Sequence, residues 1–124
     1  AAIRLKNSLQ ENAKMHVIAE DVIEACHNGI VGWENLSNCK PILLQGNDDH
    51  IKTIERWNIV KEFFEERGIV YQEIKSRNGG IITKLVNLIY LLDYSTIYKA
   101  VIEKTDPTPI APIDFIKKRI QDKE

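Results

Sequence analysis

Pro41-Ile42-Leu43-Leu44-Gln45-Gly46-Asn47-Asp48-Asp49 decides the fold, together with Ile51, Ile54, Trp57, Val60, Phe63 and Phe64 at helical spacing and then Ile69-Val70-Tyr71-Gln72-Glu73-Ile74. The apolar run after Pro41 is short and stops at Gly46, as a strand buried on both faces of a parallel sheet does. Asn47-Asp48-Asp49 offers an N-cap for the helix that follows, and Arg67-Gly68 ends that helix. Ile69 to Ile74 reads as a second strand, and Ser76-Arg77-Asn78-Gly79-Gly80 as a loop. Strand, helix and strand make a βαβ unit, with a right-handed crossover expected.

Helices flank this unit on either side. Ile3 to Lys14 and a shorter segment around Ala19 to Cys26 carry helical sequence, which puts Glu11 at or near a helix end. Beyond the loop, Leu85, Leu88, Ile89, Leu92, Ile97, Val101 and Ile102 predict a long helix from Ile82, apolar on a wide face and therefore deeply packed. Pro107, Pro109 and Pro112 then break the pattern, because each removes a backbone donor and fixes φ. A last helix, Ile113 to Gln121, has Phe115, Ile116 and Ile120 as its apolar contacts. The fold class is α/β: a three-layer βαβ half-domain with a small parallel sheet flanked by helices. Two parallel strands are rarely stable alone, so the unit is expected to be incomplete and to lean on further strands or a partner subunit.

Composition narrows the function by exclusion. The 124 residues suit one domain, and 44% hydrophobic with 28% charged residues is ordinary for a globular protein. Seventeen basic against eighteen acidic residues leave a charge of -1, without the excess a nucleic-acid partner would demand. Cys26 and Cys39 are expected to be thiols rather than a bridge, with the cytoplasm as the default location. Apolar runs such as Leu88 to Leu92 fall short of the ~20 residues of a membrane span. The chain opens on Ala1-Ala2-Ile3 without methionine, which predicts that it is one piece of a longer protein.

Two residues carry the chemistry of proton transfer. Glu11, in Gln-Glu-Asn-Ala-Lys, is a candidate carboxylate base, and His27, in Cys-His-Asn-Gly, an imidazole that titrates near neutrality. Against this, a glutamate on a helix is usually a solvated face residue, and a histidine in such a segment a surface or capping one. Cys26, His27 and Cys39 also suggest zinc, but their spacing lacks a fourth ligand and matches no regular motif. Ser8, Ser37, Ser76 and Ser95 are scattered, so no hydroxyl-rich phosphate cradle is visible, and Asn78-Gly79-Gly80 alone is a weak signal.

Four blocks in order carry a resemblance. These are residues Gln10 to Lys14, Cys26 to Glu34, Leu88 to Ala100 and Asp106 to Asp114. Together they resemble the bifunctional phosphoglucose/phosphomannose isomerases, archaeal and bacterial enzymes built from two sugar-isomerase (SIS) subdomains. Nearly the whole chain is covered, and the matching part is the C-terminal one of such an enzyme. The implied fold is SIS-like, of Rossmann type, with the N-terminal SIS subdomain outside this chain.

The resemblance implies an aldose-ketose isomerase acting on glucose 6-phosphate or mannose 6-phosphate through a cis-enediol, with no cofactor or metal. Glu11 stands at the position of the enediol base, which works best when partly buried. His27 matches a ring-opening histidine that, in the family's homodimer, reaches the active site of the other subunit. The last helix supplies a ring-opening lysine; Lys117, after Ile116, is favoured over its neighbour Lys118, although basic residues in a last turn often only complement the helix dipole. Thr108 looks like the small hydroxyl residue beside the sugar, though threonine between prolines is also ordinary turn chemistry. Gly29 and Leu92 depart from the family's pattern, which commonly has a glutamate or other polar residue and a glycine there. The alternative reading is a non-catalytic SIS module that binds a phosphosugar or serves oligomerisation.

Overall fold

The computed structural model describes residues 1–35 and 38–123. Its elements are α1 (Ala2–Asn12), α2 (Val22–Ala25), a 3-10 turn (Gly29–Trp33), β1 (Ile42–Gln45), α3 (Ile51–Glu66), β2 (Gln72–Lys75), α4 (Ile81–Ile102) and α5 (Ala111–Gln121). The two strands pair in parallel, with Ile42 opposite Gln72 and Gln45 opposite Lys75. This is the α/β arrangement read from the sequence: a small parallel sheet flanked by helices.

Alternation along β1 builds the layers. Leu43 points to one face and meets Val60 and Phe64 of α3, with Trp33, Trp57 and Tyr71 around them. Leu44 points to the other, where with Ile74 it packs against Leu5 of α1 and Leu88 and Leu92 of α4. A side-chain period of two therefore divides the core into two clusters on opposite sides of the sheet. Trp33 meets Phe64 edge-on, with ring centroids 5.3 Å apart, so the turn after α2 is held to α3 by aromatic packing.

Local signals set most boundaries, and some differ from expectation. The N-cap of α3 is His50, whose Nδ1 accepts from the Lys52 N–H at 3.2 Å, and not Asn47-Asp48-Asp49. Asp49 instead accepts from the Gly46 N–H at 2.9 Å, and Asp48 pairs with Lys84 of α4, so both aspartates shape the loop leaving β1. At the far end Gly68 takes φ +66°, Gly68 N–H donates to the Glu65 carbonyl and Ile69 N–H to that of Phe64. That pair of bonds is a Schellman closure, and glycine enters the left-handed region without steric cost. β2 consequently begins only at Gln72, because Ile69 belongs to the closure.

The long helix is packed on a narrower stripe than its sequence predicts. Leu88, Leu92, Thr96 and Ala100, four residues apart, are its buried positions. Leu85, Ile97, Val101 and Ile102 are exposed. At 22 residues, with an 18-residue window of mean hydropathy 1.3, α4 is long and apolar enough to cross a bilayer by length and composition alone. Its central stripe is nonetheless packed on α1 and the sheet, and its Lys84 and Asp93 are ion-paired. α5 departs further: Phe115, Ile116 and Ile120, expected as its contacts, are 63%, 57% and 56% exposed.

Candidate active site

α1 is held in rotation by a polar stripe against α4. Arg4, Ser8 and Asn12 recur every four residues and so share one face. The Asp93 carboxylate accepts from Arg4 Nη2 at 2.8 Å and Nε at 3.1 Å, and from Ser8 Oγ at 2.9 Å. One turn on, Asn12 Nδ2 donates to Thr96 Oγ1 at 2.7 Å, and that hydroxyl donates to the Asp93 carbonyl at 2.7 Å. The Arg4 guanidinium, hydrogen-bonded to the carboxylate, holds Asp93 below the usual carboxyl range, and Ser8 adds to the effect. With this face fixed inward, Glu11, beside Asn12 in the last turn, is exposed.

Lys14 ties Glu11 to the proline-rich loop. It follows the cap Ala13 with φ +55°, and its Nζ donates to the carbonyls of Glu11 at 2.7 Å and Pro109 at 2.6 Å, with that of Pro107 at 3.4 Å. Thr108 lies between those two prolines, exposed, its N–H donating to Asp106 Oδ1 at 2.9 Å. That backbone donor holds the Asp106 carboxyl below its ordinary value. Glu11 and Thr108, 97 positions apart in sequence, thus share one neighbourhood through a lysine that sequence reasoning passed over. The available signal was a basic residue just past a helix end, where unpaired carbonyls await a donor.

No hydrogen bond among the described residues brings His27 or Lys117 to that lysine. Asp21 caps α2 by accepting from the N–H groups of Ile23 at 2.9 Å and Glu24 at 3.2 Å. His27 follows in the turn, exposed, its own N–H donating to the Glu24 carbonyl at 2.9 Å. Next to it, burial pushes the Cys26 thiol up, and no disulfide joins it to Cys39. Lys117 and Lys118 lie exposed on α5. Among the described residues, no hydrogen bond or ion pair links His27, Lys117 or Lys118 to Glu11 or Thr108, and no group of three potential metal ligands exists.

A cleft of 360 Å³ is lined by Ile42, Leu44 and Gln45 of β1, with Leu88 from one layer and Trp57 from the other. Gln45 is buried, and its Nε2 has no hydrogen-bond partner among the described residues. None of Glu11, His27, Thr108 and Lys117 lines this cleft. The loops after the strands are tied to each other, Asn47 N–H donating to Ser76 Oγ at 3.1 Å and Asn47 Nδ2 to Asn78 Oδ1 at 3.0 Å. Their polar groups serve the fold first; Ser37, of the serines singled out above, lies outside the described residues.

The sequence is similar to part of several known proteins. A bifunctional phosphoglucose/phosphomannose isomerase of Caldicellulosiruptor bescii is 31% identical over 96% of the chain and 36% of its own length. Proteins of the same name from Aquifex aeolicus and Thermoplasma acidophilum are 28% and 26% identical, over 97% and 96% of the chain and 38% of their own lengths. The chain therefore spans little more than a third of the length of the curated relatives it matches. No solved structure matches at the same level. Residues 1–120 match the family described as bacterial phospho-glucose isomerase C-terminal SIS domain, and the chain belongs to that family.

Proposed function

We propose that this chain is the C-terminal SIS subdomain of a cytoplasmic isomerase that converts glucose 6-phosphate or mannose 6-phosphate to fructose 6-phosphate. The observation that carries the reading is the joining of Glu11 to the Thr108 loop through Lys14. A general base on a helix end and a small hydroxyl on the loop fastened to that end suit a sugar whose C2 configuration is made and unmade.

In the proposed chemistry His27 and Lys117 act first, one giving a proton to the ring oxygen as the other takes one from the anomeric hydroxyl, so that the open-chain aldehyde forms. Lys118 is the alternative to Lys117. Glu11 then removes the proton from C2 as O1 takes up a proton, which gives the cis-enediol, and returns the proton to C1 as O2 gives up its own and the ketose carbonyl forms. The net shift is one hydrogen from C2 to C1 and one proton from O2 to O1. Thr108 contacts the sugar near C2 and leaves room for either epimer. The step needs no electron acceptor, metal or cofactor, because the electrons move between adjacent carbons of one molecule.

The same reading makes the working unit larger than the chain. The open edge of β1, the cleft that this strand lines and the Gln45 Nε2 without a partner among the described residues support completion of the sheet by the preceding SIS subdomain. Exposed apolar side chains on α4 and α5 support a homodimer in which His27 serves the neighbouring subunit's site. That exposure also favours the second reading, a module for oligomerisation or phosphosugar binding without catalysis. Incubation with fructose 6-phosphate separates them: aldose phosphate forms with the complete protein and not with the 124-residue chain, whereas a non-catalytic module is silent in both forms.

A further inference from the structure

We propose that Lys14 is a positioning residue for this isomerisation: its ammonium sets the distance between Glu11 and Thr108 and touches no substrate atom. The inference rests on the isomerase reading above. Three protons on one nitrogen face three carbonyl oxygens, those of Glu11 at 2.7 Å, Pro109 at 2.6 Å and Pro107 at 3.4 Å. An ammonium has no acceptor lone pair, so a lysine occupied in this way is a fastener and not a base.

Each partner gains from the arrangement. The Glu11 carbonyl lies in the last turn of α1, where four carbonyls lack intrahelical donors and the helix dipole presents its negative end. Pro107 and Pro109 have no N–H, so the loop offers acceptors while its φ angles are already fixed. One cation therefore locks a stiff loop to a helix end.

Backbone conformation points the same way. Lys14 adopts φ +55°, in the left-handed region that side chains rarely adopt. The helix end itself favours this conformation, with Met15 N–H donating to the Leu9 carbonyl at 3.4 Å, and the three carbonyls held by the Lys14 ammonium add to what fixes it. The α1–α4 stripe holds α1 to the long helix, and Lys14 links the end of α1 to the loop leading into α5.

The test uses the complete enzyme and the variants K14M, K14R and E11Q. K14M is expected to lower kcat about 10- to 100-fold on fructose 6-phosphate, because misplacement by about 1 Å costs that much, with KM little changed. The mannose-to-glucose product ratio shifts as Thr108 moves, and the pH profile stays where it was. K14R, which keeps the donors, recovers most of the loss. A folded K14M with parental kcat and product ratio overturns the proposal, and so does a displaced pH profile, which would make Lys14 an acid or base itself. If K14M does not fold, K14Q, which keeps a shorter donor, replaces it with the same expected and contrary results. E11Q separates the two levels: an active E11Q defeats the isomerase base assignment, whereas an inactive E11Q beside a normal K14M defeats only the role of Lys14.

Discussion

Asp93 on α4 holds Arg4 on α1 by a two-nitrogen contact, with Arg4 Nη2 2.8 Å and Nε 3.1 Å from its carboxylate. The pair fixes which face of α1 turns inward and hence which way Glu11 turns out. Asp93 also accepts from the buried Ser8 hydroxyl, a bond that an asparagine Oδ1 can keep, so D93N removes the charge that faces Arg4. D93N is expected to cost about 1–2 kcal/mol of stability at pH 7, read from urea unfolding.

That cost should depend on pH with a definite sign. Asp93 has a depressed pKa in the fold, so its ionisation stabilises fully above the unfolded-state value of about 3.9 and the benefit is lost as pH falls through the folded value. The stability gap between parent and D93N should be constant near neutrality and close progressively below about pH 4. A gap that widens in acid would contradict the assignment.

Leu92 tests the packing beneath the same contact. It is 1% exposed and joins Leu5 and Leu88 in the cluster under α1. Leu92→Ala is expected to destabilise by about 2–5 kcal/mol through lost transfer free energy and the cavity left behind. Leu85→Ala, on the same helix but 45% exposed, should cost far less in the same unfolding experiment.

The two lysines of α5 can be told apart by kinetics. Under the proposed chemistry, K117M in the complete enzyme should slow turnover of the ring-form substrate by about 100-fold or more, with K118M near parental activity. The reverse pattern would move the ring-opening role to Lys118.

Much of the fold was legible because local rules sufficed for it. The Pro41 and Gly46 brackets, the helical spacing from Ile51 to Phe64 and the glycine at 68 are signals within one element, and β1 and α3 stand where those signals put them. β2 started late because Ile69, apolar enough for a strand, was taken up in the closure of α3. α4 was misjudged in depth for a different reason: its apolar face is wide, but α1 and the sheet cover a single row of it. Lys14 could be suspected of capping α1, but its link to the loop was illegible, since two of its three partners lie 93 and 95 residues away and no local period records them. Glu11 and Thr108 could be singled out by resemblance, whereas their nearness needed the fold.

The central claim is that Glu11 is the base of a hexose phosphate isomerisation, and the most direct measurement is the turnover of the Glu11→Gln variant of the complete enzyme. Glutamine keeps the size and loses the proton-accepting carboxylate. Turnover of fructose 6-phosphate to both aldose phosphates is predicted to fall by about 100- to 10,000-fold, with the fold intact by unfolding midpoint. Parental turnover with either product would contradict the account.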